Sequence, residues 1–469
     1  MLAEALRLTT SQANIDELTA QLEAELKQCE VTTVSYRNKL KQFMIENEIW
    51  QINELNYYWR EKYREYLKHR MSKTSCESYI KTFDRVKLHS LRKQSQIILA
   101  GKRQRPEYAD EILYLPYHPN IEIAERFYKE NNKNLLAWDF TLKAAEKLKR
   151  QIFQILHYFI ENAANSERMH AQLGGLARLY DFCVLEQIED LEKLEIDQIE
   201  RFQKTFATEY QRHYYAGVTF WCGRALFMEA EEIHWDANVW YMERMRLQPE
   251  RIDPAAPVMS LSFAEVTNKE NRKLLQKYLR YGIGITNLSI SNLRTEFLVV
   301  RKFLGDMNQP ETENICMVTE QQMDAWLRSE QQREVQADTF NKKVMCILHF
   351  FQYLQIKDYI TAIPFDPNYY LKKTFMQHHD RSVAQETMDQ IRRNLYRFPE
   401  EVRLMYLHLW GVGLRISEVC TLKGNAYYLQ GKDAWIQVYQ TKMRTYKRIP
   451  IPMTLYQLMQ VYITKYQRK

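Results

Sequence analysis

Glycine and proline are scarce in this chain, with twelve of each among 469 residues. Because these two residues mark tight turns and interrupt helices, their scarcity leaves room for long, uninterrupted elements. Residues of high helix propensity, namely leucine, glutamate, lysine, glutamine and arginine, are abundant instead. The composition therefore predicts a mainly α-helical protein, and the length allows about two to four domains.

Long apolar runs and closely spaced cysteines are also missing. The longest apolar run, "VMCILHFFQYL", is far shorter than the ~20 residues that a membrane span needs. The start, "MLAEALRLTTSQANIDEL", lacks the basic residues and apolar block of a signal peptide. None of the seven cysteines lies in a CxxC or other metal-binding spacing. We therefore expect a cytoplasmic protein with no membrane partner, whose cysteines, Cys420 included, are reduced core thiols.

Acidic residues are absent after Asp433, although the net charge of the whole chain is only +7. The same stretch carries seven basic residues, namely Lys442, Arg444, Lys447, Arg448, Lys465, Arg468 and Lys469. A concentrated basic patch indicates a polyanionic partner, most commonly nucleic acid, although a solvated basic tail has the same composition.

The chain divides into four segments. Amphipathic helices are predicted over residues 1–110, and they resume over 111–255 after the break "GKRQRPEYADEILYLPYHPN". The proline-rich "LQPERIDPAAPV" is the best linker candidate, and residues 256–378 form a further helical segment. In residues 379–469 helices give way to "AWIQVYQT", which alternates like a strand, and to the short edge strand "KRIPIP".

The second and third segments share an order of features. A basic-aromatic helix opens each of them, "LKRQIFQILHYFIE" in one and "LRTEFLVVRKFLGD" in the other. An aromatic-rich helix follows later in each. This order predicts an internal duplication, although two unrelated four-helix units would produce the same order.

The segment "LWGVGLRISEVCTLK", Leu409–Lys423, places an arginine and a glutamate three positions apart, so Arg415 and Glu418 are predicted to share a helix face. A guanidinium held by a carboxylate keeps donors for an outside phosphate. Gly411 and Gly413 remove side chains just before it, which lets a nucleic-acid backbone approach. Taken alone, such a pair is more often an ordinary helix salt bridge.

"GVGLRISEVCTLK", followed by a strand pair carrying "QTKMRTYKRIPIP", resembles the start of the catalytic domain of tyrosine recombinases, the phage-integrase family. The resemblance implies that Arg415 is the first catalytic arginine, Glu418 its acidic support and Lys442 the hairpin lysine. The hairpin spacing is one residue looser than the commonest pattern, so Arg444 and Lys447 stay alternatives for the lysine.

Upstream, residues 256–378 resemble the helical core-binding domain of that family, which clamps the far side of a DNA duplex. With the internal duplication, the resemblance implies a second clamp of the same type over residues 111–255, so the expected fold is a tandem of helical clamps before a partial α+β catalytic domain. Double-stranded DNA is the expected partner. The expected DNA contacts are Thr339, Asn341, Lys342, Lys343, Arg381, Arg444, Lys447 and Arg448.

The resemblance implies site-specific recombination through a 3′-phosphotyrosine, without metal or cofactor. The family's HxxR motif and nucleophilic tyrosine belong far beyond the hairpin, and Tyr456, Tyr462 and Tyr466 lie too early for that role. We therefore expect a fragment of a recombinase that is catalytically incomplete, with self-association in doubt. The alternatives are a non-catalytic DNA-binding relative that acts at recombination sites, and a helical scaffold protein.

Overall fold

A computed structural model describes residues 2–29, 33–68, 70–97, 105–130, 135–307, 314–375, 382–440, 443 and 445–467. The chain is mainly helical, as predicted, and forms two compact units, Met1–Glu229 and Ala230–Lys469. Among the helices of the described ranges, none is both long and apolar enough to cross a bilayer.

The first unit begins with long helices: α1 (Leu2–Gln28), α2 (Val34–Glu46), α3 (Tyr57–Lys68) and α4 (Lys73–Ile97). Their apolar faces form a core around Phe43, Tyr63 and Phe83. Within this bundle the buried guanidinium of Arg60 donates two hydrogen bonds to Asp84, at 2.7 and 3.1 Å. This buried, bidentate pair joins α3 to α4.

The remainder of the first unit adds two short strands and six helices within the described residues. They are β1 (Ile112–Tyr114), α5 (Ile121–Tyr128), β2 (Ala137–Asp139), α6 (Glu146–Asn162), α7 (Ser166–Leu185), α8 (Ile196–Lys204), α9 (Glu209–Tyr215) and α10 (Val218–Glu229). Strands β1 and β2 pair antiparallel, and α6, α7 and α10 pack around one apolar core.

The second unit opens with a similar order of elements. These are β3 (Val239–Tyr241), β4 (Ser260–Ser262), α11 (Lys269–Gly284), α12 (Ile290–Asp306), α13 (Glu320–Gln332) and α14 (Ala337–Ile356). The proline-rich segment between β3 and β4 is fixed to the unit, because Arg251 donates hydrogen bonds to the carbonyl oxygens of Gly282, Ile283 and Leu288.

Residues 112–229 and 239–356 repeat one pattern of burial, and we refer to them as the first and second repeats. A constant shift in residue number takes the buried Ile152, Ile155 and Leu156 of α6 to the buried Leu275, Tyr278 and Leu279 of α11. Almost the same shift takes the buried residues of α7 to those of α12. The matched positions are Met169 and Leu293, Leu173 and Phe297, Leu176 and Val300, and Leu179 and Phe303.

The capping contacts recur as well. Asp190 caps a 3-10 turn in the first repeat, and Asn314 caps its counterpart in the second, each accepting a backbone N–H at 3.0 Å. In the first turn of the next helix, α8 or α13, the side chain of Gln198 or Gln322 accepts the backbone N–H of the N-cap residue at 2.9 Å. The structure thus matches α6 with α11, whereas the duplication predicted from the sequence paired the segment of α6 with that of α12.

The second unit ends with a small α+β segment. Its helices are α15 (Gln385–Asn394), α16 (Glu400–Leu407), α17 (Ile416–Cys420) and α18 (Met453–Gln467), with a π-helical turn at His408–Val412. Strands β5 (Tyr427–Gln430), β6 (Asp433–Gln440) and β7 (Thr445–Ile451) form an antiparallel sheet in that order. Alternate residues of β6, namely Ala434, Ile436 and Val438, enter a core shared with Leu414 and Leu455.

Candidate functional site

The site predicted around Arg415 lies at the start of α17, not within a longer helix. Gly413 has a φ of +72°, which ends the preceding π-helical turn, and an added Cβ there or at Gly411 would meet nothing within 4 Å. Leu414 is buried, and Arg415 is the N-cap residue in an extended conformation. The buried Leu414 therefore fixes the backbone next to Arg415, while the surface at Gly411 and Gly413 is open.

Glu418 fixes the orientation of Arg415 through two contacts. One carboxylate oxygen of Glu418 accepts the backbone N–H of Arg415 at 2.8 Å, and the other accepts Nη1 of its guanidinium at 2.8 Å. The Glu418 side chain is only 5% exposed, whereas that of Arg415 is 57% exposed. The buried carboxylate thus holds one edge of the guanidinium, and the other donors are left for an outside acceptor.

Glu418 is held in its charged form. Burial on its own raises the pKa of this carboxyl group, but the hydrogen bonds from the backbone and guanidinium of Arg415, and the positive charge of Arg415, outweigh burial and lower the pKa. The pair therefore presents a guanidinium cation that an ionised carboxylate holds in place, and the remaining guanidinium donors suit an incoming phosphate.

The predicted hairpin adjoins this pair. Gln440, the last residue of β6, directs its amide Nε2 to the same Glu418 carboxylate at 3.4 Å, and it pairs across the sheet with Thr445. Lys442 and Arg444 of the connecting loop lie outside the described residues. The loop residue Met443 is 64% exposed, and its N–H donates to the Gln440 carbonyl oxygen at 3.0 Å.

The other predicted hairpin cations are on β7. Lys447 and Arg448 are exposed and pair with Val438 and Gln437 of β6. Their neighbour Tyr446 is also exposed, with its ring 5.0 Å from that of Tyr439. The exposed edge of the hairpin therefore combines positive charge with an aromatic surface, as nucleic-acid contacts often do.

The four residues predicted on α14 have different surroundings. Thr339 and Lys342 are exposed. The side-chain Nδ2 of Asn341 donates to the Lys372 carbonyl oxygen and its Oδ1 accepts the Lys372 backbone N–H, at 2.8 Å each, so this side chain joins α14 to the following segment. Lys343 donates to Glu330 at 2.7 Å. Arg381 lies outside the described residues.

Glu330 was not singled out by the sequence and organises this region. Its carboxylate is 2% exposed and lies within 3.0 Å of cationic nitrogens of Lys302, Arg333 and Lys343. Burial favours the neutral acid, but the hydrogen bonds from Lys343 and Lys302 outweigh it and lower the pKa of Glu330. Lys302 and Lys343 lie 28 and 13 residues from Glu330, so no local pattern revealed that they meet there.

The tyrosines of α18 serve packing. Tyr456 and Tyr462 pack against the core of the segment, and the Tyr466 hydroxyl donates to Glu401 at 3.1 Å. The prediction that the cysteines are buried is wrong for Cys420, which is exposed at the end of α17. In the part of the chain that the structure describes, no group of three histidine, cysteine or acidic side chains is arranged to hold a metal ion.

Sequence comparison finds distant relatives among transposases. Transposase B from transposon PsiTn554 of Staphylococcus aureus is 22% identical over 241 residues, covering 50% of this chain and 37% of that protein. Transposase B from transposon Tn554 of S. aureus strain Mu50 is 22% identical over 231 residues, covering 48% of this chain and 36% of that protein. The matched part of the chain therefore spans little more than a third of these relatives. No protein-family model and no solved structure matches the chain.

Proposed function

We propose that this protein acts on DNA in transposition, through strand exchange of the tyrosine-recombinase type. The distant similarity to transposase B supports a role in transposition. The observation that carries the chemistry is the buried Glu418, which holds the exposed Arg415 on one side and receives Gln440 of the hairpin on the other. The two motifs that resemble the recombinase site are thereby joined through one carboxylate.

In this reaction a tyrosine oxygen forms a bond to the scissile phosphorus, and the bond from phosphorus to the 5′ oxygen breaks. A 5′-hydroxyl of the partner strand then displaces the tyrosine from its 3′-phosphate ester. In our proposal the Arg415 guanidinium donates to the non-bridging oxygens, where negative charge develops. Lys442, two residues after Gln440, gives a proton to the leaving 5′ oxygen. We assign no residue as the nucleophile.

Two elements of the second unit contribute DNA contacts in this proposal. Thr339 and Lys342 at the start of α14 contact the sugar-phosphate backbone, and Lys447 and Arg448 on β7 do so near the reacting strand. These residues are exposed. Lys343 and Asn341 orient this surface through Glu330 and Lys372.

The proposal is tested by the salt dependence of duplex binding and by cleavage. Arg415→Gln should weaken affinity only modestly and reduce the slope of log K against log salt by about 1, because one phosphate contact is lost. In a form of the protein that cleaves DNA, the same change should abolish cleavage. The matched control is Arg392→Gln, since Arg392 is also exposed and also pairs with a carboxylate, that of Asp389, but is not part of the predicted site.

The outcome that contradicts the proposal is retained cleavage in Arg415→Gln, or a salt slope that changes equally in both variants. Glu418→Gln tests whether the position of the Arg415 guanidinium matters in addition to its charge. It leaves the guanidinium present but removes its anchor, so cleavage should fall while the salt slope stays close to that of the unaltered protein.

A further inference from the structure

Two arginines on α7 of the first repeat are exposed, and each lies over an aromatic ring. The guanidinium of Arg168 lies over the Trp221 ring at 5.1 Å from its centroid, and that of Arg178 lies over the Tyr215 ring at 5.2 Å. Both arginines are exposed, and neither forms an ion pair with a carboxylate of the described residues. Asp181 lies near enough to Arg178 to feel its charge but does not bind it.

The rings beneath these arginines are fixed by close packing. A Cβ at Gly175 would lie 2.7 Å from Cγ2 of Val218, and a Cβ at Gly174 would lie 3.0 Å from the Tyr215 hydroxyl. The two glycines therefore let the chain around α9 and α10 approach α7 more closely than any larger residue allows. Arg178 consequently stacks on a tyrosine whose own position is set by the backbone of α7.

A second aromatic element lies on α9. Tyr210 is 73% exposed and stacks on Tyr214, with ring centroids 5.6 Å apart and planes 17° from parallel. Arg168 and Arg178 are ten residues apart on α7, which places them ~15 Å apart along the helix axis. That distance is comparable with the width of the major groove of DNA, about 12 Å.

Two other exposed arginines of the first repeat, Arg150 and Arg201, are ion-paired instead. Arg150 also lies over a tyrosine ring, but it donates to Glu146 at 2.6 Å. Arg201 donates to Asp197 and Glu186. In the second repeat, the position that corresponds to Arg178 is Lys302, which is bound to Asp306 and Glu330. Arg168 and Arg178 thus keep positive charge that is not neutralised by an ion pair.

We propose that the face formed by Arg168, Arg178 and the Tyr210–Tyr214 stack binds the sugar-phosphate backbone of duplex DNA, so that the first repeat is a second DNA-binding module. The proposal rests on the proposed function, since it assigns the same partner to a different surface. Stacked guanidinium groups with free donors suit phosphate oxygens, and exposed aromatic rings suit the sugar and base surfaces beside them.

The test uses the full chain with a labelled duplex of random sequence, titrated at several salt concentrations. The double variant Arg168→Gln with Arg178→Gln removes two charges and leaves a shorter polar side chain at each position. We expect it to bind at least tenfold more weakly and to reduce the salt slope by about 2. The control, Arg150→Gln with Arg201→Gln, removes the same charge from ion-paired sites and should change the slope by less than half as much.

Two further measurements separate the possible failures. Arg168→Lys with Arg178→Lys should restore the salt slope, which a purely structural role for the arginines would not predict, and thermal melting should show all variants folded.

Lys342→Gln in the second repeat is measured in parallel. If it weakens binding while the α7 double variant matches its control, the second module is wrong and the proposed function stands. If only the α7 double variant weakens binding, the first repeat binds DNA as proposed and the proposed DNA contact of Lys342 is wrong. Capture of an acidic protein with no effect on DNA binding would also overturn the inference.

Discussion

The two repeats share an apolar interior and differ in their polar groups. Leucine and tryptophan meet at the centre of each short sheet, as Leu113 opposite Trp138 in one repeat and as Trp240 opposite Leu261 in the other. The helices that follow bury the same positions. Side-chain identity changes while the pattern of burial is kept, so the two repeats share the pattern and not particular core residues.

The polar interiors respond to different conditions. In the first repeat, His118 and His157 are buried 5.4 Å apart between ring centroids, and Nε2 of each ring finds no hydrogen-bond partner in the described chain. In the second repeat, the buried Glu330 is paired with cations, and the exposed His349 contacts Glu296. The comparison teaches that one pattern of apolar burial accommodates a buried histidine pair in one copy and the buried Glu330 cluster in the other.

The largest expected effect comes from breaking the shared core at matched positions. Leu173→Ala in the first repeat should lower the free energy of unfolding by about 2–5 kcal/mol, and Phe297→Ala in the second by about 3–5 kcal/mol, because each leaves a cavity in a fully buried site. Hydrogen exchange should report the loss within the altered repeat. The exposed Leu185 and Ile285 serve as controls, and alanine there should cost little. A negligible effect at Leu173 or Phe297 would refute the matched cores.

The next effect is acid sensitivity of the first repeat. Burial, helped by the neighbouring His157, lowers the pKa of His118 from 6.5 to about 4. The stability that depends on neutral His118 is therefore fully present above pH 6.5 and is lost as the pH falls toward 4, by up to about 3 kcal/mol. Hydrogen exchange between pH 7.5 and 5 should show protection lost around α6, and His118→Gln should reduce that loss.

The pKa of His349 is shifted in the opposite direction to that of His118. Its hydrogen bond to Glu296 raises the pKa of His349, so its contribution is present below pH 6.5 and is lost as the pH rises through the raised value. Helix α14 should therefore keep its protection at pH 5 better than α6 does. Equal acid sensitivity of α6 and α14 would contradict the comparison. The buried His408, whose pKa is also lowered by burial, lies in the final segment and is followed separately.

A smaller effect is expected at the Glu330 cluster. Glu330→Gln leaves three cations around a neutral amide and should lower the free energy of unfolding by about 2 kcal/mol, less than for a fully buried pair because the cations are partly exposed. Urea unfolding measures the change. Glu334→Gln, at an exposed position nearby, should have almost no effect. A similar loss in both variants would show that Glu330 does not organise the cluster.

Local patterns predicted much of the fold. The helical content followed from composition and period, and the β6–β7 hairpin followed from alternation and the basic turn. Strand β5 was missed, although Gly431, at a φ of +63°, marks the turn before β6. Strands β1 to β4 are only three residues long, which is too short for alternation to be recognised.

The candidate site was predicted only where its contacts are local. Arg415 and Glu418 are three residues apart, so their contact followed from spacing, but the left-handed Gly413 that puts Arg415 ahead of the helix did not. The Gln440 contact with Glu418 and the cations around Glu330 join distant segments. Spacing gives no information about such contacts, because they depend on how the elements pack.

The most direct test of the central claim is phosphate-ethylation interference on DNA selected from a random pool by the unaltered protein. The account predicts that ethylation of one particular phosphate blocks binding of the unaltered protein, and that this phosphate stops mattering in Arg415→Gln, while it still matters in Arg392→Gln. An interference pattern that is identical in all three proteins would contradict the claim that Glu418 holds Arg415 for a phosphate.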